Sequence, residues 1–526
     1  MVEIDRQVTK TGSNSCDLSL TYAWIFTAAI VIFSILVLSP ALKVYFHGDD
    51  FSSLNAPSIS GIGDLPEVIR YASVRASRFM HLGIYFSLGK SLWGLNPVHW
   101  HFSSLILFAI DTFLLFALLL RASNDRLASV IGTGIFALSG ALFYAQVWIT
   151  GTVELLASLF VFSSTLMHLK ALDISVPSQK RIAFETIAII LLCLAFATKE
   201  TMLPIIIVWI LIDIFTKRKL TAGGIGAVVA GIGGAVLGMM RISRLQHMES
   251  YGIVTNPLTL LINLFAYFYD PVAATGGESW FLYKIGAEDG TSGTVRNLSV
   301  IARDNIALSI LFFIVILAIA VLFVFFTFRT GKSHETDKPK SGVRLPRFIG
   351  WAGWFVLLIP AIVTPGHHFP YYVTVPLAFL VISIGPALAS GLRNPRSRNF
   401  IVIALLIYAI WFPINTNLAF KFSPLTRGAV ETKKLVEAIG VIYPERPEGM
   451  RIIIDGVEPS LQRAMAYGYA VEWNYPEVKA LPFRNFRKTL EEHKSDTIIP
   501  GLKRVVIRRV DGVWTDVTNE FVLPSG

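Results

Sequence analysis

Long apolar blocks broken by short polar stretches run along the chain as far as about residue 420. A membrane-spanning helix needs ~20 mostly apolar residues. Blocks of that kind fall near 22–44, 97–120, 127–143, 151–169, 183–198, 202–216, 221–240, 306–328, 348–364, 371–390 and 399–420. The pattern predicts eleven spans. The seventh, GGIGAVVAGIGGAVLG, is rich in small residues and suits close helix packing. Between the first two blocks, residues 51–95 mix Arg70, Arg75, Arg78 and Lys90 into apolar sequence at helical spacing. This predicts one or two helices lying in the membrane interface. The stretch NPLTLLINLFAYFYDPV at 256–272 predicts a partly re-entrant aromatic segment.

After Lys421 the pattern changes to that of a small soluble unit. ETKKLVEAIGVIY has helical periodicity, and RIIIDG reads as a buried strand ending at Gly456. KRVVIRRVDGVWTDVT reads as two strands joined by an Asp511-Gly512 turn. The expected division is a membrane body over 1–425 and a small α/β domain over 426–526.

Composition agrees with this reading. The 526 residues are 53% hydrophobic and 16% charged, against about 25% charged in soluble proteins. The net charge of +10 would point to nucleic acid in a soluble chain. Here the basic residues lie in loops: Arg121 and Arg126; Lys170, Lys180 and Arg181; KRK at 217–219; RTGKSHETDKPKSGVRLPR; and Arg393, Arg396 and Arg398. Basic loops mark the cytoplasmic side, and all of these fall there when eleven spans are counted from a cytoplasmic N-terminus. Membrane topology thus explains the charge, and nucleic acid is not an expected partner. The outer side then receives Asp49-Asp50, Lys199-Glu200, residues 241–305, PGHHFPYY at 365–372 and the C-terminal unit. The 22–44 block is long for a signal peptide and no A-x-A-like site follows it, so it reads as a signal anchor. Cys16 and Cys193 form neither a disulfide framework nor a CxxC site.

Several polar groups on the outer side can carry chemistry. Asp49 and Asp50 follow the first span. As neighbours they can raise one another's pKa and leave one as a base. They can also hold a divalent cation such as Mg or Mn through oxygen ligands, or form an ordinary solvated turn. Lys199-Glu200 interrupts two apolar blocks with almost no loop, where ionisable groups usually face a cavity. Arg78 can hold a phosphate bidentately or snorkel to lipid headgroups. His367 and His368, beside Tyr371, can grip a phosphate or sugar, and no third ligand sits at a metal-binding spacing. Glu154, just after Trp148, can bind hydroxyls or bond to a neighbouring helix. His99, His101 and Asp111 read as polar packing groups within a span. No P-loop or dinucleotide motif occurs in a strand–helix context, which excludes a nucleotide site.

Four stretches occur in order: DD at 49–50, RASRFMHLGIYFSLGKSLWGLNPVHWHFSSLILF, AQVWITGTVELLASLFVFSSTLMH and LAFATKETMLPIIIVWI. Together, over residues 20–220, they resemble the GT-C glycosyltransferases, above all the protein O-mannosyltransferase-like enzymes and their bacterial relatives. TKE is intact; Phe79, Ser104, Phe108 and Thr152 depart from the usual proline, asparagine, histidine and arginine. The resemblance implies an all-α polytopic GT-C fold in a bacterial inner membrane, with an extracytoplasmic site. It implies inverting transfer of a sugar from a polyprenyl-phosphate donor to a hydroxyl of a glycan, glycolipid or protein. Asp49 or Asp50 is then the base. Arg78, Lys199, His367 and His368 hold the donor phosphate, and Trp148, Glu154, Glu200 and Tyr371 bind substrate. Two rivals are a flippase for lipid-linked sugars and a non-catalytic membrane scaffold. A flippase would place charges deep in several spans and carry inverted repeats; here the charges gather on one face.

Overall fold

A computed structural model describes residues 18–74, 78–245, 257–273, 344–364, 369–483 and 503–521. Helix α1 (Leu20–Leu38) starts where the Ser19 side chain accepts a hydrogen bond from Tyr22 N and runs on as a 3₁₀ turn over Ser39–Lys43. A five-residue helix, α2 (Asp49–Ser53), carries the paired aspartates. The interfacial stretch folds as α3 (Leu65–Val74), a π-helical segment Phe79–Tyr85, and α4 (Phe86–Trp93). Helix α5 (Pro97–Ser123) has Pro97 at its first position, an Asn96 cap and Asn124 in the left-handed region at its end.

The membrane body continues with α6 (Arg126–Ala137), α7 (Phe143–Val147), α8 (Thr152–Ala171), α9 (Ser178–Thr198) and α10 (Ile205–Lys217). Helices α11 (Ala222–Leu245), α12 (Pro257–Ala273), α13 (Arg347–Ile362), α14 (Thr374–Arg393) and α15 (Pro395–Phe422) complete it. Among the described residues, six helices are long and apolar enough to cross a membrane, so this is an integral membrane protein. They are Leu20–Lys43, α5, α8, α9, Pro370–Arg393 and α15. The expected span at 127–143 is instead a bent pair, Arg126–Ala137 and Gly140–Val147, meeting at 51°. Ser139 stands at the break and accepts from Ala141 N, restarting the helix in a new direction. The expected spans at 202–216, 221–240 and 348–364 fall on α10, α11 and α13, which are not among those six, and that at 306–328 lies outside the described residues. The stretch at 256–272 folds as α12, whose Asn263 Nδ2 donates to the terminal carbonyls of α13 at Ala361 (3.1 Å) and Ile362 (2.8 Å). On α8, His168 lies between Asp213 (3.2 Å) and Glu185 (3.5 Å) and stacks on Trp209, tying α8, α9 and α10 together.

Helix α16 (Pro424–Ile442) follows α15 after the Ser423 cap. Then come β1 (Met450–Asp455), α17 (Pro459–Ala464), α18 (Tyr469–Asn474), β2 (Val478–Pro482), β3 (Arg504–Val510) and β4 (Val513–Asp516). The sheet order is β2-β1-β3-β4, parallel except for the β3–β4 hairpin. Asp511 (φ 47°) and Gly512 (φ 85°) close that hairpin, both in the positive-φ region that a tight two-residue turn requires. The sheet does not stand apart from the membrane body. Ile452, Ile454 and Leu435 share one hydrophobic cluster with Phe46, Phe51 and Ile149.

Candidate active site

The chain leaving the first span makes a tight turn at Gly48, whose φ of 54° and ψ of −117° are open only to glycine. Asp49 and Asp50 open α2, where a helix N-terminus favours carboxylates. The turn separates the two completely. Asp49 is exposed, and Asp50 is 1% exposed. Asp50 Oδ1 accepts from both the amide and the hydroxyl of Thr150, each at 2.7 Å. Its Oδ2 accepts from His47 N at 2.9 Å. Burial pushes the Asp50 carboxyl up to about 7; the donors from Thr150 and His47 oppose that, and the Asp49 charge adds a smaller upward push. The mutual repulsion foreseen from sequence is therefore present, but desolvation outweighs it. Burial, with Arg463 nearby, holds His47 down to about 4, which leaves it neutral at pH 7. As a cation site the pair fits poorly: both Asp50 oxygens are turned to protein donors. Among the described residues no three His, Cys, Asp or Glu side chains gather around a common point. No step below runs through a metal.

The raised Asp50 value has a measurable sign. The native state holds this proton more tightly than the unfolded chain, whose value is near 3.8. The contribution to stability is therefore fully present below about pH 4 and is lost as pH rises through about 7. The Tm advantage of the wild type over Asp50→Asn is expected to be larger at about pH 4.5 than at about pH 8. A thermal melt of both proteins across that range checks it.

One short segment, 147–154, connects this turn to the rest of the site. Trp148 Nε1 donates to His47 O at 3.3 Å, and Thr150 holds Asp50. A Cβ at Gly151 would lie 2.6 Å from Tyr144 O and 2.9 Å from Trp148 O, so this close turn admits only glycine. Thr152 donates to Ile149 O at 2.6 Å and lies 3.2 Å from His81 Nε2. One helical step later Glu154, fully buried, forms an ion pair with Lys199, itself 1% exposed. Lys199 Nζ sits 4.0 Å from the ring centre of Tyr372 and 5.1 Å from that of Tyr371. Tyr371 stacks on Phe369 and lies 5.9 Å from Trp148, which closes the circle. Arg78 meets Glu200 at 3.9 Å, both partly exposed.

Of the residues proposed from sequence, Asp50 and Trp148 meet through the His47–Thr150 contacts, and Glu154, Lys199 and Tyr371 form one cluster against Trp148. Arg78 and Glu200 pair with each other; Glu200 follows Lys199 directly. His367 and His368 lie outside the described residues. His101 and Asp111 are packing groups, bonded to Val44 O (3.0 Å) and Ser158 Oγ (2.5 Å). Sequence reasoning missed His47, Thr150, His81, Phe369 and Tyr372. Thr150 sits inside the stretch WITGTVELL, but a lone threonine carries no signal; its role appears only once the first loop folds onto it.

No family profile matches the chain, and no curated protein matches it. Among solved structures the chain is similar to ArnT from Cupriavidus metallidurans in the apo state, at 12% identity and a TM-score of 0.45, with 94% of each chain covered. It is also similar to the oligosaccharyltransferase of Archaeoglobus fulgidus. The apo form gives 13% identity and a TM-score of 0.40 over 87% of this chain and 64% of that one. The form tethered with an acceptor peptide gives 11% and 0.39 over 88% and 64%.

Proposed function

We propose that this protein is a membrane glycosyltransferase of GT-C architecture that moves a sugar from a polyprenyl-phosphate donor to an acceptor hydroxyl outside the cytoplasm, in a bacterial inner membrane. The observation that carries the reading is the bridge at 147–154. It fixes an exposed carboxylate turn at one end and a buried, aromatic-lined lysine–glutamate pair at the other.

Transfer by direct displacement forms a bond from the acceptor oxygen to the anomeric carbon. The bond from that carbon to the phosphate oxygen breaks, and its electron pair leaves with the polyprenyl phosphate. The hydroxyl proton goes to a base. Asp49 is that base, because it is exposed while Asp50 has both oxygens saturated by donors. Asp50 is the anchor that orients α2. The two cations also divide their work. Lys199 neutralises Glu154 at nearly zero exposure and holds it in place. Arg78, partly exposed beside Glu200 at 3.9 Å, is the one that turns to the donor phosphate, for which its guanidinium is suited. Trp148 and Phe369, both half-buried, offer ring faces to the sugar.

The test is release of free polyprenyl phosphate from a panel of pentose- and hexose-charged polyprenyl phosphates by the purified, lipid-reconstituted protein in the presence of an envelope extract that supplies glycan, glycolipid and protein hydroxyls as acceptors. Arg78→Ala is expected to raise the donor KM about 10- to 100-fold with a smaller change in kcat. An unchanged KM removes Arg78 from the phosphate site. Absence of release by the wild type from every charged donor overturns the reading as a whole.

A further inference from the structure

The carboxylate turn is held from two sides, and only one of them belongs to the membrane body. From the body come Thr150 and Trp148. From the other side come three hydrogen bonds linking residues 45–51 to helices α17 and α18 of the C-terminal unit. Gly48 N donates to Ala464 O at 2.7 Å, Trp473 Nε1 donates to Phe51 O at 3.0 Å, and Asn474 Nδ2 donates to Tyr45 Oη at 2.9 Å. Phe46 and Phe51, both essentially unexposed, pack into the same apolar cluster as the sheet strands. Lys90, from the interfacial helices, donates to Ala56 O at 3.0 Å and lies 4.8 Å over the Trp473 ring, so the grip extends along the loop.

Two of the three contacts are aimed at the backbone of the turn itself, and the third holds the Tyr45 side chain just before it. Trp473 bonds the main-chain carbonyl within α2, and Ala464 takes the amide of the glycine immediately before Asp49. The geometry points to the C-terminal unit as a positioning element for the carboxylate turn, with Trp473 and Asn474 as positioning residues for the reaction at Asp49. The inference rests on the reading of Asp49 as the base, since a reacting carboxylate must be held closely in its attacking position for transfer to be fast. It assigns the unit a role on the base itself, in addition to whatever acceptor it meets.

The test uses the full chain in detergent or lipid discs, with hydrogen exchange at residues 46–54 and donor kinetics measured side by side. Trp473→Phe keeps the ring packing and removes the N–H; Asn474→Leu removes the second bond. Each is expected to speed exchange at these amides about tenfold, the effect of one lost hydrogen bond. Each is also expected to lower kcat about tenfold with donor KM within about twofold, because positioning rather than binding is lost. Tyr45→Phe removes the same bond as Asn474→Leu from the other side, so the double variant is expected to be no slower than the worse single one. Unchanged exchange in both Trp473→Phe and Asn474→Leu overturns the clamp. Faster exchange with wild-type kcat overturns its role in the reaction. Faster exchange in a protein whose wild type turns over no lipid-linked sugar upholds the clamp and sinks the transferase reading instead.

Discussion

Asp49→Asn is expected to abolish sugar transfer with only a small change in melting temperature, whereas Asp50→Asn is expected to do nearly the reverse. Sequence alone treats the two as equals; their surroundings do not. Asp49 is exposed at the first position of α2, and an amide there keeps the side chain's size while removing its charge and its proton affinity. Loss of a positioned general base lowers the rate about 10²- to 10⁴-fold. Asp50 is different because its two oxygens meet three donors. An asparagine has a single acceptor oxygen, so either His47 N or Thr150 N comes to face an NH₂ group. A buried donor left unsatisfied costs about 1–3 kcal/mol. The Asp50→Asn chain is expected to melt lower and to retain transfer within about tenfold, the fall coming from a loosened turn. Single-turnover release of polyprenyl phosphate, measured beside a thermal melt, separates the two effects. An inactive Asp50→Asn with an active Asp49→Asn would move the base to Asp50. Its carboxyl, pushed up to about 7, has the proton affinity for that role but not the access.

What could be read from the sequence follows from which patterns are local. Apolar blocks of span length carry their own signal, and each expected span within the described residues falls on apolar helix. The hairpin over β3 and β4 was legible because Asp511-Gly512 is a turn in any context. Strand β2, VKALP, was not: it is short, contains proline and gains its identity only by lying beside β1. The break at Ser139 was hidden for a similar reason, since the apolar run is continuous across it and only the hydroxyl cap at Ala141 N redirects the helix. The candidate site divides the same way. Asp49, Asp50, Arg78, Glu154, Lys199 and Glu200 stand out as ionisable groups at the ends of apolar runs, where each needs a reason to be there. Thr150, His47 and Trp473 do not stand out, because each works through a main-chain group, its own or its partner's, and the partners lie up to 422 positions away. The distinction between Asp49 and Asp50 was out of reach for that reason: it depends on Thr150, a hundred positions away in the turn before α8, and on the His47 amide once the loop is folded.

Lys199→Met is expected to produce a larger loss of stability than any other single change at the site, and the loss is expected to be recovered by a second substitution. Glu154 and Lys199 are 0% and 1% exposed, so neither charge has water to fall back on. Among the described residues Glu154 Oε2 has no hydrogen-bond partner, which leaves the ammonium as the principal compensation for the carboxylate. Removing one member of such a pair costs about 3–5 kcal/mol, since the other stays buried and charged. Replacing both by apolar side chains of similar volume removes the penalty altogether and is often neutral. Glu154→Leu/Lys199→Met is therefore expected to melt close to the wild type while Lys199→Met alone melts well below it. Activity is expected to follow a different order. The lysine also lies against the rings of Tyr371 and Tyr372, and Tyr371 in turn abuts Trp148, so the apolar double variant loses the cation that fixes this wall. Stability regained without transfer regained identifies the pair as part of the site. Regaining both identifies it as a packing element alone.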